Sequence, residues 1–140
     1  MALHLTTNAA TQAWDDLAER LERFIATWEA SGEPTIVEYL PVEPPAHRRF
    51  VLIELIKVDL EQRTNRQKQK RLEDYTREFP ELLEEGEPPC DLIYEEFHIR
   101  RVAGEGVTSA DYYSRFPKSA HLIPSMFKVL HLSEIRTPFK

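Results

Sequence analysis

Apolar residues return along this chain at spacings of three and four, and one arrangement of them returns as a block. Over residues 8–31, Trp14, Leu17, Leu21, Phe24, Ile25 and Trp28 form a single apolar stripe, with Asp15, Asp16, Glu19, Arg20, Glu22 and Arg23 filling the other positions. That pattern predicts an amphipathic helix with Thr7 or Asn8 as its cap and Gly32 as its stop. Over 45–65, Phe50, Val51, Leu52, Ile53, Leu55, Ile56, Val58 and Leu60 are apolar around more than one face. A helix opening at Pro45 and touched from several sides is expected there, at the centre of the core. Its length and the charges at Glu54, Lys57 and Asp59 favour helix over strand.

The block that returns is 55–80, which reappears at 92–117. Leu55, Ile56, Arg63, Asp74, Tyr75, Phe79 and Pro80 fall on Leu92, Ile93, Arg100, Asp111, Tyr112, Phe116 and Pro117, at one offset of 37 residues. A fixed period of this size marks a repeated supersecondary unit, here a long helix, a turn and a short helix. Within each short helix the Tyr and the Phe lie four apart and share a face. The proline after the Phe disfavours helical backbone at that Phe and brings no N–H, so the helix ends there. Tyr75, Phe79, Tyr112 and Phe116 are expected as core anchors, with Arg63 and Arg100 complementing helix C-termini. A weaker copy is expected upstream, where Tyr39, Leu40 and Pro41 follow Gly32 and Glu33, with Thr35 and Glu38 as a capping box.

The remaining punctuation completes the outline. The stretch 64–71 is polar and hinge-like, and Gly86, Pro88 and Pro89 make a loop between the two clear copies. A helix over 91–102 stops at Gly104 and Gly106, Thr108 and Asp111 restart the chain with a capping box, and a last helix is expected over 119–132. The fold class is therefore all-α: a small helical domain over 1–132, made of two to three repeats of about 37 residues, and an extended tail over 133–140.

Composition narrows the chemistry. With 140 residues, 41% of them hydrophobic, the chain is long enough to bury one core. Its formal net charge of −6 argues against a general binder of nucleic acid or acidic membrane. Cys90 is the one cysteine, so no internal disulfide or cysteine-based zinc site can form. The start lacks a basic segment followed by an apolar one, and no run approaches the roughly 18 to 20 apolar residues of a membrane span, which leads to the expectation of a cytoplasmic protein.

Candidate sites are few. Arg63, Arg66, Lys68, Lys70 and Arg71 group enough charge to meet phosphates, but no aromatic interleaves them and the chain is acidic, so a solvated hinge is the better account. Glu95 and His98 have the Glu-x-x-His spacing of di-iron bundles, yet the first copy carries Val58 and Glu61 there, which favours an exposed helical pair over a metal-dependent enzyme. The aromatic anchors as a platform for bases are the third alternative, set aside in favour of core. No phosphate-cradling glycine loop, Gly-x-Ser-x-Gly, His-Glu-x-x-His or kinase signature occurs, and there are only four glycines. The expectation is a chain that is not an enzyme and uses no cofactor.

The phrases LIELIKVDLEQR, LEDYTREFPEL, LIYEEFHIRR and TSADYYSRFP resemble the region that precedes the catalytic domain in many planctomycete-type bacterial serine/threonine protein kinases. Similar segments, a leucine-rich helix, Arg, and Glu-Tyr-Leu-x-Arg-Phe-Pro, occur there in tandem. The likeness spans about residues 28–117. Thr76 and Tyr113 stand where Leu is usual, and the insert 65–71 is unusually basic. The resemblance implies a helical accessory module beside a signalling enzyme, with a protein partner such as a kinase domain or kinase-associated protein. Its contact surface would be sought on Arg66, Lys68, Lys70 and Arg71, and on Glu84 and Glu85 of the following loop, whose opposite charges suit steering.

Overall fold

A computed structural model describes residues 2–119, 121 and 122, with side chains from Ala9 onward. The described residues are all-α, with five α-helices: α1 Ala2–Glu29, α2 Pro45–Asn65, α3 Leu72–Glu78, α4 Cys90–Val102 and α5 Ser109–Arg115. Short 3-10 turns lie at Ile36–Tyr39, Pro80–Leu82 and Pro117–Ser119. No helix among these residues is long and apolar enough to cross a membrane. The expected last helix, beyond Ser119, His121 and Leu122, and the tail 133–140 lie outside the described residues. The chain divides into two compact units, and the division falls within α2, between Asp59 and Leu60.

In the first unit Leu17, Phe24 and Trp28 of α1 are buried, as are Ile36, Leu40, Val51, Leu52, Leu55 and Ile56. The expected stripe is truncated, because Trp14 meets Phe50 edge-on at 5.3 Å but stays 63% exposed. Helix α1 also starts earlier than its polar residues suggest, so Thr7 and Asn8 lie inside it. At its other end the left-handed residue is Ser31, with φ 68°, while the N–H of Gly32 reaches back to the Thr27 carbonyl at 2.9 Å. Gly32 is a stop for want of space. A Cβ there would sit 3.0 Å from Thr27 Cγ2 and 3.1 Å from the Thr27 carbonyl oxygen. The upstream copy differs from the other two: Ile36–Tyr39 is a 3-10 turn, and the Thr35 side chain makes no capping hydrogen bond. Tyr39 is engaged elsewhere, its hydroxyl 2.7 Å from Thr27 Oγ1 and its carbonyl accepting from Arg20 at 3.0 Å.

Burial along α2 follows two adjacent ridges, Val51, Leu55, Asp59 and Arg63 beside Leu52, Ile56 and Leu60. Phe50, Ile53 and Val58 of the same helix are half-buried.

The second unit carries the repeat. Boundaries recur at the offset of 37 from the ends of the long helices onward: α2 ends at Asn65 and α4 at Val102, α3 spans Leu72–Glu78 and α5 Ser109–Arg115, and the turns after them are Pro80–Leu82 and Pro117–Ser119, whereas the long helices start at Pro45 and Cys90, out of that register. The connections match as well. Lys68 N–H bonds the Arg63 carbonyl at 2.8 Å, and Glu105 N–H bonds the Arg100 carbonyl at 3.1 Å. The left-handed residue just before each donor is Gln67, φ 59°, in one copy and Gly104, φ 81°, in the other. At the stop, Phe79 N–H bonds Tyr75 at 2.8 Å and Phe116 N–H bonds Tyr112 at 2.9 Å. Tyr75, Phe79, Tyr112 and Phe116 are all buried, as the anchor assignment requires, and none is available as a platform.

Candidate functional site

The polar centre of the second unit grows from an acid at a core position. On the apolar face of α4, between Leu92, Ile93 and Phe97, stands Glu96, only 1% exposed. A buried carboxylate is costly unless it is hydrogen-bonded. Its Oε2 accepts from Leu72 N–H at 2.9 Å and its Oε1 from the Tyr112 hydroxyl at 2.7 Å. Arg115 completes the set, donating to both oxygens from Nη1 and Nη2. The same guanidinium grips Glu73 as a fork, Nε to Oε2 at 2.8 Å and Nη2 to Oε1 at 2.5 Å, and lies over the Tyr112 and Phe116 rings at 5.0 and 4.8 Å. Burial opposes the charge of Arg115, but its bonds to Glu73 and Glu96 outweigh it and raise its pKa. The Arg115 bonds hold the Glu73 carboxyl below the ordinary carboxylate value. Burial, with the Glu96 charge beside it, pushes the Tyr112 hydroxyl up. Every strong polar group of this centre is used to join α3, α4 and α5.

Beside the centre lies a cleft of about 340 Å³, lined by Lys70, Arg71 and Arg100 among its cations and by Asp74, Glu96 and Glu105 among its acids. Leu60 and Ile99 form apolar wall. Two local features build it. The connector after α2 turns at Gln67 and carries Lys70 and Arg71 into α3, where Arg71 N–H bonds Asp74 Oδ2 at 3.0 Å. From α4, Arg100 bonds Glu105 at 3.0 Å and approaches Tyr112 Oη at 3.5 Å and Glu96 at 3.8 Å.

The residues expected on a contact surface are not brought together. Lys70 and Arg71 line the cleft; Arg66 and Lys68 are not among its lining residues, and Arg66 turns back to the Gln62 side chain. Glu84 and Glu85 line a separate cavity of about 280 Å³ with Lys118, Ser119 and His121. They sit in a tight turn, where Glu84 and Glu87 exchange backbone bonds of 2.7 and 3.1 Å around Glu85 and Gly86 in left-handed conformation. Glu87, unremarked in the sequence, is buried and caps the last turn through Lys118 N–H at 2.7 Å and Ser119 N–H at 3.0 Å.

Glu95 and His98 line a third depression together with Glu61 and Thr64. The His98 ring stacks on Tyr94 with centroids 6.2 Å apart, and its Nδ1 is buried without a hydrogen-bond partner. Among the described residues no group of three or more His, Cys, Asp or Glu side chains is arranged to hold a metal ion. Arg63 is buried near the end of α2, 37 residues before Arg100. Sequence reasoning missed Glu96, Arg115 and Glu73. The available signal was an acid, Asp59 and then Glu96, recurring on the buried stripe of both copies.

No family model, curated protein or solved structure matches this chain.

Proposed function

We propose that this chain is a non-catalytic protein-interaction module that works beside a bacterial serine/threonine kinase, recognising a protein partner with its polar surface. One observation carries the interaction reading. The strongly perturbed groups, Arg115 and Tyr112, are bonded to Glu96, and Arg115 to Glu73 as well, and serve the fold, whereas Lys70 and Arg100 of the cleft are left with donors to spare. A site of that kind binds; it offers no nucleophile with an adjacent base. The kinase association is supported by the resemblance of the repeated Tyr and Arg-Phe-Pro segments.

The test has two parts. Isothermal titration with Mg-ATP and a phosphorylation assay on the purified chain should give neither binding nor turnover; ATP turnover would sink the non-catalytic reading. Affinity capture from the native lysate, read by mass spectrometry, should recover a serine/threonine kinase or a protein associated with one. Charge reversal at Arg66, Lys68, Lys70 and Arg71 together should weaken that capture without lowering the melting temperature.

A further inference from the structure

We infer that the cleft between the 66–71 connector and α4 receives a carboxylate of an acidic peptide segment, held by Lys70, Arg71 and Arg100. This rests on the protein-interaction reading and names the chemistry of the contact.

Donors and acceptors around the cleft do not balance. Its three acids are already satisfied. Glu96 accepts from Leu72, Tyr112 and Arg115; Asp74 accepts from Arg71 N–H and Arg77; Glu105 accepts from Arg100 and, at 2.6 Å, from Gln69. Its cations are not. Lys70 has Glu78 at 3.9 Å, beyond hydrogen-bonding distance, and otherwise lies 5.3 Å over the Tyr75 ring. Arg100 spends one N–H on Glu105 and has weak contacts beyond it. Arg71 is exposed, and its guanidinium can only donate. What such a cleft lacks is an acceptor, and a carboxylate meets a guanidinium fork with two parallel bonds.

The other copy shows what the fold alone needs here. Lys70 and Arg71 correspond to Val107 and Thr108. Thr108 caps α5 through its side chain, accepting from Asp111 N–H while Asp111 bonds back at 3.0 Å. Arg71 has no side-chain acceptor, so α3 forgoes that half of the box: Asp74 N–H goes to the Arg71 carbonyl at 2.9 Å, and Leu72 N–H is taken by Glu96. A better capping residue is thus replaced by a cation at the mouth of the cleft, a local choice that folding does not explain and binding does.

A nucleic-acid strand would bring a row of phosphates against a chain of net charge −6 and against Asp74, Glu96 and Glu105 at close quarters. A single carboxylate side chain enters between them. The volume of about 340 Å³ is at the lower end for small-ligand sites and suits one or two side chains.

Fluorescence anisotropy on the full 140-residue chain at low salt tests this, with labelled hexaglutamate, hexaglutamine and single-stranded oligothymidylate as probes. Hexaglutamate should bind best. Lys70→Gln and Arg71→Gln should each weaken it by about tenfold, the size of one charge-assisted bond, while Arg66→Gln and Lys68→Gln stay within about twofold. Arg100→Lys, which keeps the charge and loses the fork, should also weaken it. No preference for hexaglutamate over hexaglutamine, equal losses from all four connector cations, or tighter binding of the oligonucleotide would each overturn the assignment. A kinase captured equally well by Lys70→Gln and Arg71→Gln would keep the module and discard the cleft. Hexaglutamate binding with the expected residue dependence, and no kinase captured, would keep the cleft and discard the kinase partner.

Discussion

Glu96 Oε2 takes the N–H of Leu72 at 2.9 Å, so a buried acid of α4 satisfies the first N–H of α3. The same carboxylate also answers Tyr112 and Arg115, which makes it the point where three helices meet. Removing one partner of such a buried set is expected to cost more than the set contributes net, because the others are left desolvated and unmatched.

Arg115→Met should therefore destabilise the chain by about 3 to 5 kcal/mol. Glu73→Gln should cost under about 1 kcal/mol, since Glu73 is 43% exposed and water replaces much of what it loses. Urea denaturation of the two variants measures both; equal losses would show that Glu73, not Glu96, is the main support of Arg115.

Truncation of a repeated anchor should be as severe. Phe79 and Phe116 are 4% and 3% exposed, and Phe→Ala at either is expected to cost about 3 to 5 kcal/mol. Calorimetry should show a melting temperature lowered by many degrees in both variants, and a melt like that of the unmodified chain would contradict the core assignment.

The two left-handed turn positions give opposite results. Gln67 holds φ 59° with a side chain that disfavours it, so Gln67→Gly should stabilise by about 1 kcal/mol. Gly104 holds φ 81° with open space around it, so Gly104→Ala meets no clash and still costs about 1 kcal/mol from backbone strain alone. Paired urea melts of these variants check the signs.

Acid should loosen the protein by a defined route. The Arg115 bonds depress the folded pKa of Glu73 below its ordinary 4.5, so the stabilisation is fully present above 4.5 and is lost as pH falls through the lower folded value. Asp16, held down by Arg20 and His47, behaves alike in the first unit. Melting temperature should be flat from neutrality to about pH 5 and fall below it, and Glu73→Gln should show a shallower acid limb.

Much of this fold is legible in the residues. The offset of 37 places both short helices, both Phe-Pro stops and the ends of α2 and α4, because backbone termination depends on local residues: Pro80 and Pro117, Gly104, Thr108. The polar centre is less legible. Arg115 stands where the first copy has Glu78, and an arginine in the last turn of a short helix looks like any solvated one. Only the three-dimensional approach of α3, α4 and α5 turns it inward. Trp14 fails in the opposite sense, since a stripe on one helix says nothing of how far its neighbour extends, and Thr35 spaced correctly from Glu38 still makes no cap when the backbone tightens to a 3-10 turn. The cations of the cleft, Lys70 and Arg71, were visible as departures from the repeat, but their separation from Arg66 and Lys68 required the turn at Gln67.

Both tryptophans, Trp14 and Trp28, fall before the division at Asp59, and the second unit holds none. Trp28 is 1% exposed and Trp14 is 63% exposed. Excitation at the red edge of the absorption band therefore gives a signal from the first unit only, with one emitter shielded and one open to iodide. Far-ultraviolet ellipticity sums over every helix. Superimposed unfolding curves from the two signals would mean that the units melt as one, and curves that part would give each its own midpoint without a label or a cut in the chain.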